Sequence, residues 1–274
     1  MADKRILYVA QEVKPYLAET PESLIGNKIP QGIHAKKGFE VRVFMPKYGS
    51  INERRNQLHE VIRLSGMNII IDDTDHPLII KVASLQPSRI QVYFIDSDDF
   101  FQKSDSDIDD FGSNRNDNDE RAIFFARGTM ETVKKSSWSP SIVHCSGWVS
   151  FLTPAYLKKM YHEDPCFRDA KVVYTIFDNK YEDKLDPRMI EKLKMDNICD
   201  PMLDAIDVEN LDINAMHRIA IDFSDAVVFG TENVDPALEE YVKAKGIPYM
   251  TFDKASEGVD AYKEFYNSLI PNED

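Results

Sequence analysis

The sequence predicts a doubly wound α/β fold with a mostly parallel sheet and an antiparallel β insertion. Short apolar runs alternate with amphipathic stretches of helical period, a pattern typical of parallel strands joined by covering helices. Residues 57–96 depart from this alternation, because four strand-like runs follow one another there with little helical pattern. No repeat or Pro/Gly-rich linker divides the sequence, so we expect one domain over residues 1–274.

The N-terminal part has a β-α-β pattern. The predicted elements are a strand at 5–10 (RILYVA), a helix at 23–37 and a strand at 39–45. Threonine and serine are common N-cap residues, so we expect Thr20 or Ser23 to cap the N-terminus of this helix. Pro30 should kink this helix and Gly38 should end it.

Regular alternation returns after residue 118, where helices with apolar residues on one face separate short strands such as KVVYTI and DAVVF. The predicted helices span 119–135, 151–162, 214–222, 235–245 and 258–269. The predicted strands span 141–144, 171–176, 225–229 and 248–252. Gly246 should end the helix before it.

Residues 103–119 are polar and acidic, which predicts a solvated loop. Asp105, Asp107 and Asp109 have the spacing of a calcium loop, but Asp110 stands where such a loop needs glycine. We therefore expect no metal site here. No zinc-spaced Cys/His set, P-loop or G-x-G-x-x-G is present either, so no cofactor is predicted.

Composition narrows the function classes. The net charge is −14, from 33 basic and 47 acidic residues, which disfavours nucleic acid and anionic membranes as partners. No apolar run approaches the roughly 20 residues that cross a bilayer, and the N-terminus lacks a signal peptide pattern. Three scattered cysteines do not make a disulfide framework. We expect a cytoplasmic, reduced protein.

The end of the strand at 141–144 is the first candidate site, because parallel sheets bind ligands beyond the carboxyl ends of their strands. His144 could move a proton there, or be a buried histidine bonded to backbone; both remain open. Trp148 could stack on a sugar, although anchoring the next helix in the core is favoured. Cys145 should point away from His144 and be structural.

A charged set surrounds the start of the helix at 119–135. Asp117 and Arg121 are four residues apart, which predicts an ion pair, and Glu120 and Arg127 share one face. Helix capping and surface pairing explain these residues without a ligand.

The first βα connection, residues 16–26, argues against phosphate binding. It has no paired glycines and no lysine, and it contains two glutamates. A phosphate would be repelled there.

Four stretches resemble the N-terminal domain of bacterial glycogen synthases and plant starch synthases. They are ILYVAQEVKPY near the N-terminus, GFEVRVFMPKYGSI at 38–51, DNDERAIFFAR at 117–127, and the run from WSPSIVH through Trp148 to PAYLK at 138–158. The resemblance implies the Rossmann-like half of a two-domain, GT-B-type glucosyltransferase that moves glucose from a nucleotide-glucose to an α-glucan. On this resemblance His144 is the candidate catalytic residue. The candidate substrate-binding residues are Glu12, Trp148, Asp117, Asn118 and Arg121.

The sequence also departs from the family. The lysine and glycines of the family's K-T-G-G-L are absent from the first βα turn, H-D-W-H is replaced by Ser146-Gly147-Trp148-Val149, and T-I-H-N ends here in Phe177-Asp178. The family's second domain has no counterpart in these 274 residues, and from the polar NED tail we expect a natural end.

We therefore expect a domain that is catalytically weak or inactive alone, a pseudoenzyme that binds glucan or pairs with a full-length synthase or a separate second-half protein. The alternative is an active glucosyltransferase whose second domain comes from a partner chain. An unrelated dinucleotide-dependent enzyme is poorly supported, because the glycine-rich fingerprint is missing.

Overall fold

A computed structural model describes residues 3–102, 115–178, 181, 185–207 and 211–270. The strands are β1 Lys4–Ala10, β2 Phe39–Pro46, β3 His59–Glu60, β4 Met67–Ile71, β5 Thr74–Leu85, β6 Ile90–Asp96, β7 Ile142–Ser146, β8 Lys171–Ile176, β9 Ala226–Phe229 and β10 Tyr249–Met250. The helices are α1 Pro21–His34, α2 Glu53–Asn56, α3 Asn118–Lys135, α4 Thr153–Lys159, α5 Met189–Met195, α6 Pro201–Asp204, α7 Ile213–Asp222, α8 Pro236–Lys245, α9 Phe252–Ser256 and α10 Val259–Leu269. A 3₁₀ turn, Trp148–Ser150, follows β7.

The predicted parallel α/β sheet is confirmed. Its strand order is β10-β9-β8-β7-β1-β2-β6-β5-β3, and β4 pairs with β5. The seven strands from β10 to β6 run parallel. In the register, Tyr8 of β1 lies between His144 of β7 and Val43 of β2. The chain builds the sheet outward from both sides of β1, so the crevice between the carboxyl ends of β1 and β7 is the topological switch point.

The antiparallel insertion is smaller than the sequence predicted. The run at 90–96 forms β6, which pairs parallel to β2 and so belongs to the main sheet. Only β3, β4 and β5 are antiparallel additions, and β3 has two residues. The first of the four strand-like runs, residues 58–66, mostly forms a turn. In this turn the Leu64 N–H donates to the Val61 carbonyl at 2.8 Å.

Helix α1 begins as predicted and ends earlier. Thr20 is its N-cap, and Ser23 completes a reciprocal capping box. The helix stops at His34 with Ala35 as C-cap, rather than at Gly38. Gly38, at φ +85°, instead carries the left-handed turn into β2.

Sequence patterns missed α5 and α6, which the described residues form between β8 and α7. Most of the predicted acidic loop, with its calcium-like aspartates, lies outside the described residues.

The closing helix α10 packs back onto the first βαβ unit. Lys4 Nζ donates to Asn267 Oδ1 at 2.7 Å and to the Ile270 carbonyl at 2.8 Å. At Gly32 of α1, a Cβ atom would lie 2.2 Å from Cγ2 of Val259. This close approach between α1 and α10 therefore requires glycine.

We expect Gly32→Ala to lower the free energy of unfolding by about 1–3 kcal/mol, because the added methyl overpacks the α1–α10 contact. Urea titration measures this loss. Val259→Ala in the same chain should recover most of it, since both clashing methyls are removed. If the double variant instead loses the sum of the two single-variant losses in unfolding free energy, the Gly32–Val259 contact is not the cause of the Gly32→Ala effect.

Candidate functional site

Gly147 shapes the crevice at the switch point. It follows β7 with φ +80° and ψ 160°, a conformation that is essentially restricted to glycine. A Cβ atom there would lie 2.3 Å from Cβ of Gln11, which follows β1. The Gln11 N–H donates to the Ser146 carbonyl at 3.1 Å, so the two strand ends stay paired to this point. The turn carrying Trp148 is therefore held close to β1.

Three of the predicted site residues form one buried cluster on α3 and the 3₁₀ turn. The guanidinium carbon of Arg121 lies 5.4 Å from the Trp148 ring centroid and 5.5 Å from that of Phe101. Arg121 Nη1 donates to Asn118 Oδ1 at 2.7 Å, and Asn118 Nδ2 donates to the Tyr181 hydroxyl at 3.2 Å. Arg121 is 2% exposed and Trp148 1% exposed. Trp148 thus anchors the core, as the sequence favoured, while packing on a buried cation.

The predicted ion pair between Asp117 and Arg121 is wrong. Asp117 pairs with Arg115, and Arg121 Nε donates to the Phe100 carbonyl at 2.9 Å. Burial explains the difference, because the Arg121 side chain turns inward between aromatic rings instead of lying along the helix surface.

Glu12 lies near the first helix. It is 3% exposed, and its carbonyl oxygen lies 2.7 Å from the Cβ position of Gly26 in α1. Its backbone therefore packs closely against α1, whereas the Arg121 cluster is built on α3.

His144 is enclosed by protein hydroxyls. Its Nδ1 lies 2.6 Å from the Tyr266 hydroxyl and its Nε2 lies 2.5 Å from Thr175 Oγ1. Tyr266 also bonds the Tyr8 hydroxyl at 2.8 Å. Burial lowers the pKa of His144 to about 3. Both ring nitrogens are engaged, by side chains rather than by the backbone carbonyl considered from the sequence.

The N-terminus of α1 is satisfied by its own residues. The Ser23 N–H donates to Thr20 Oγ1 and the Thr20 N–H donates to Ser23 Oγ, each at 2.9 Å. Glu22 is buried in the first turn, and Lys14 of the preceding loop pairs with Glu19. The capping box occupies two backbone N–H groups, and acidic residues rather than free cations stand around this turn, which disfavours a phosphate.

No sequence pattern indicated the buried ion cluster around Lys192 of α5. Its ammonium contacts Asp119 Oδ2 at 2.8 Å, Glu120 Oε1 at 2.6 Å and Asp186 Oδ2 at 2.9 Å. The three carboxylates lie close enough to one another to hold a metal ion, and the lysine supplies a cation to all of them. Burial raises the pKa of Asp119 to about 6, against the opposing effect of Lys192. The cluster ties α5 to the start of α3.

A cavity of about 530 Å³ lies beyond the carboxyl ends of β8 and β9. Its described lining contains no lysine or arginine and includes aromatic, amide and carboxylate groups from Phe177, Asp178, Asn214, His217, Asn233 and Asp235. Asn214 Nδ2 donates to Asp235 Oδ2 at 2.7 Å. Burial lowers the pKa of His217 to about 4, so its ring is neutral at pH 7. Rings, amides and carboxylates suit the faces and hydroxyls of a sugar.

The architecture is that of one half of a GT-B glycosyltransferase. The fold is similar to the catalytic domain of starch synthase IV from Arabidopsis thaliana bound to ADP and acarbose, with a TM-score of 0.64 and 16% identity over 91% of this chain and 51% of that one. Residues 5–233 match the family described as starch synthase catalytic domain, and the chain belongs to that family. The resemblance drawn from the four motifs is confirmed.

Curated relatives agree with this assignment. The chain is 31% identical to a glycogen synthase of Pelodictyon phaeoclathratiforme over 86% of this chain and 48% of the relative. It is 35% identical to a glycogen synthase of Chlorobaculum tepidum over 77% of this chain and 43% of the relative. The chain thus spans about half the length of these relatives. None of the described helices has the length and apolar character needed to cross a membrane.

We expect Tyr266→Phe to lower the free energy of unfolding by about 1–3 kcal/mol, because it leaves buried groups of His144 and Tyr8 without the shared hydroxyl. Urea titration measures the change. Tyr249→Phe is the matched control, since Tyr249 is 38% exposed, and it should change stability by less than about 0.5 kcal/mol. Equal effects of the two variants would contradict a stabilising role for the network.

We expect the His144 ring to stay neutral in the folded protein down to pH 5. Its folded pKa of about 3 lies below the value of roughly 6.5 for an unfolded histidine. Its contribution to stability is therefore complete above about pH 6.5 and is lost as the pH falls from there toward 3. Imidazole ¹⁵N chemical shifts measure the charge state directly. Protonation of the folded protein with a midpoint above pH 5 would contradict this burial.

Proposed function

We propose that this chain is a synthase-family domain that binds α-glucan and does not transfer glucose by itself. The observation that carries the proposal is that the N-terminus of α1 is capped by its own side chains, Thr20 and Ser23. A nucleotide-glucose donor carries a diphosphate that needs free backbone donors or cations. Here Thr20 and Ser23 cap each other, the first turn carries the acidic residue Glu22, and Lys14 pairs with Glu19.

The surroundings of His144 support the same proposal. Proton transfer needs a ring nitrogen within hydrogen-bond reach of the substrate and a pKa near the working pH. His144 has hydroxyl partners on both nitrogens, and burial lowers its pKa to about 3. We assign it a structural role in place of the catalytic role that the resemblance suggested.

The other predicted residues divide by role. Arg121, Asn118 and Trp148 are buried in one cluster, and we propose that they hold the crevice in shape rather than touch a ligand. Asp117 pairs with Arg115, and Glu12 is buried beside α1, so we assign both of them structural roles as well.

The cavity beside Phe177 is the proposed glucan site. Its ring, amides and carboxylates match a neutral sugar, and its described lining offers no cation to a phosphate. The relatives are glycogen synthases, so an α-glucan is the substrate class we carry over.

Incubation of the purified chain with ADP-glucose and glycogen tests the proposal. We expect no glucose incorporation into glycogen, because donor binding and the proton-transfer group are both compromised. In native gels containing glycogen, the chain should be retarded. Asn233→Ala should weaken this retardation by about threefold or more through lost sugar hydrogen bonds.

The control is Tyr249→Ala, which removes an exposed aromatic residue outside the cavity and should leave retardation unchanged. Glucose incorporation by the chain alone would overturn the proposal. Incorporation that appears only with a separate second-half protein would favour the alternative of an active, two-chain enzyme.

A further inference from the structure

A second, polar pocket lies at the far edge of the sheet. Its volume is about 390 Å³, near the lower end of the range for small-molecule sites. It is formed by the loop after β1, by α2 and β3, and by the end of β5 with the start of β6. The lining residues that could contact a ligand include Tyr16, Arg55, Gln57, His59, Ser84 and Gln86. None of them overlaps with the cavity beside Phe177, so its occupant is independent of the glucan proposal.

This pocket is lined by basic residues, whereas the chain as a whole is acidic. The chain has a net charge of −14, yet none of the described residues that line the pocket carries a carboxylate, while Arg55 and His59 do line it. Glu53, on the same short helix as Arg55, is held by Lys47 at 3.1 Å and Lys81 at 2.6 Å. Among the described residues Arg55 forms no salt bridge, so its guanidinium remains available to an anion.

The sheet edge adds a backbone donor. The Val61 N–H donates to the Ile80 carbonyl and the Ile80 N–H to Ser65 Oγ, so Ile80 faces the outer edge of β5. Backbone groups alternate along a strand, which places the N–H of Ser84 on that same edge. Strand β3 pairs only with Lys81 and Val82, so it ends before Ser84.

The floor of the pocket is rigid and partly aromatic. The Tyr16 ring packs edge-on against Phe94, with centroids 4.9 Å apart, and Tyr16 is 8% exposed. Asn56, Gln57 and Gln86 also line the pocket, and side-chain amides can bond hydroxyls as donors or acceptors. Asn56 Nδ2 already donates to the Asn52 carbonyl at 2.9 Å, so Gln57 and Gln86 are the main candidates.

We propose that this pocket binds a small phosphate monoester whose organic part carries hydroxyl groups. The Arg55 guanidinium and the Ser84 N–H would hold the phosphate, with His59 beside them. The amides would bond the hydroxyls, and Tyr16 would pack against the carbon skeleton.

Ribose 5-phosphate, ribose and inorganic phosphate, titrated separately into the ¹⁵N-labelled chain, test this assignment. We expect saturable amide shifts at His59, Ser84 and Gln91 with ribose 5-phosphate, weaker ones with inorganic phosphate and none with ribose. Arg55→Gln should raise the dissociation constant for ribose 5-phosphate about tenfold or more.

Arg54→Gln is the matched control, because Arg54 carries the same charge on the same exposed helix but does not line the pocket. It should change the dissociation constant less than about twofold. Equal losses in the two variants would show a general charge effect and overturn the site. Absence of saturable shifts, or equal binding of ribose, would also overturn the phosphate assignment. Glycogen retardation is a separate readout, so failure here leaves the glucan proposal standing.

Discussion

The parallel pairing of β1 with both β7 and β2 is the constraint on which the rest of this structure depends. It places Tyr8 and His144 side by side and brings the ends of both strands to one crevice. Gly147 lets the turn after β7 pass so close to β1 that a Cβ atom on this residue would lie 2.3 Å from Cβ of Gln11. This turn carries Trp148, which packs on the buried Arg121 of α3.

The same strand pairing also places His144 where protein side chains bond both of its ring nitrogens. His144 is held by Tyr266 from the closing helix and by Thr175 from β8, so the histidine joins three distant parts of the chain. In a family whose relatives are glycogen synthases, we infer that this position has become part of the scaffold. We propose that the hydrogen bonds that hold His144 in the fold also keep it from transferring a proton to a substrate.

Patterns of local sequence predicted much of the fold. Alternating runs gave the parallel sheet, and Thr20 with Ser23 gave the start of α1. The same patterns misplaced the strand at 90–96, because a short apolar run does not specify which neighbour it pairs with. The helices α5 and α6 were missed, because four- and seven-residue helices carry little periodicity.

Partners distant in sequence explain the rest. The local spacing rule predicted an ion pair between Arg121 and Asp117. The Arg121 side chain instead packs against the Phe101 ring and donates to the Phe100 carbonyl. Tyr266 lies 122 positions from His144, and no spacing rule connects them. Lys192 of α5 likewise contacts the distant Asp119 of α3, in addition to Asp186 in the loop before α5.

The most direct test of the central claim is a crystal structure of the chain grown with ADP-glucose and maltotetraose. We expect sugar density in the cavity beside Phe177, no nucleotide at the N-terminus of α1, and His144 still bonded to Tyr266 and Thr175. A donor diphosphate seated on the first turn of α1, with His144 released toward it, would contradict the account.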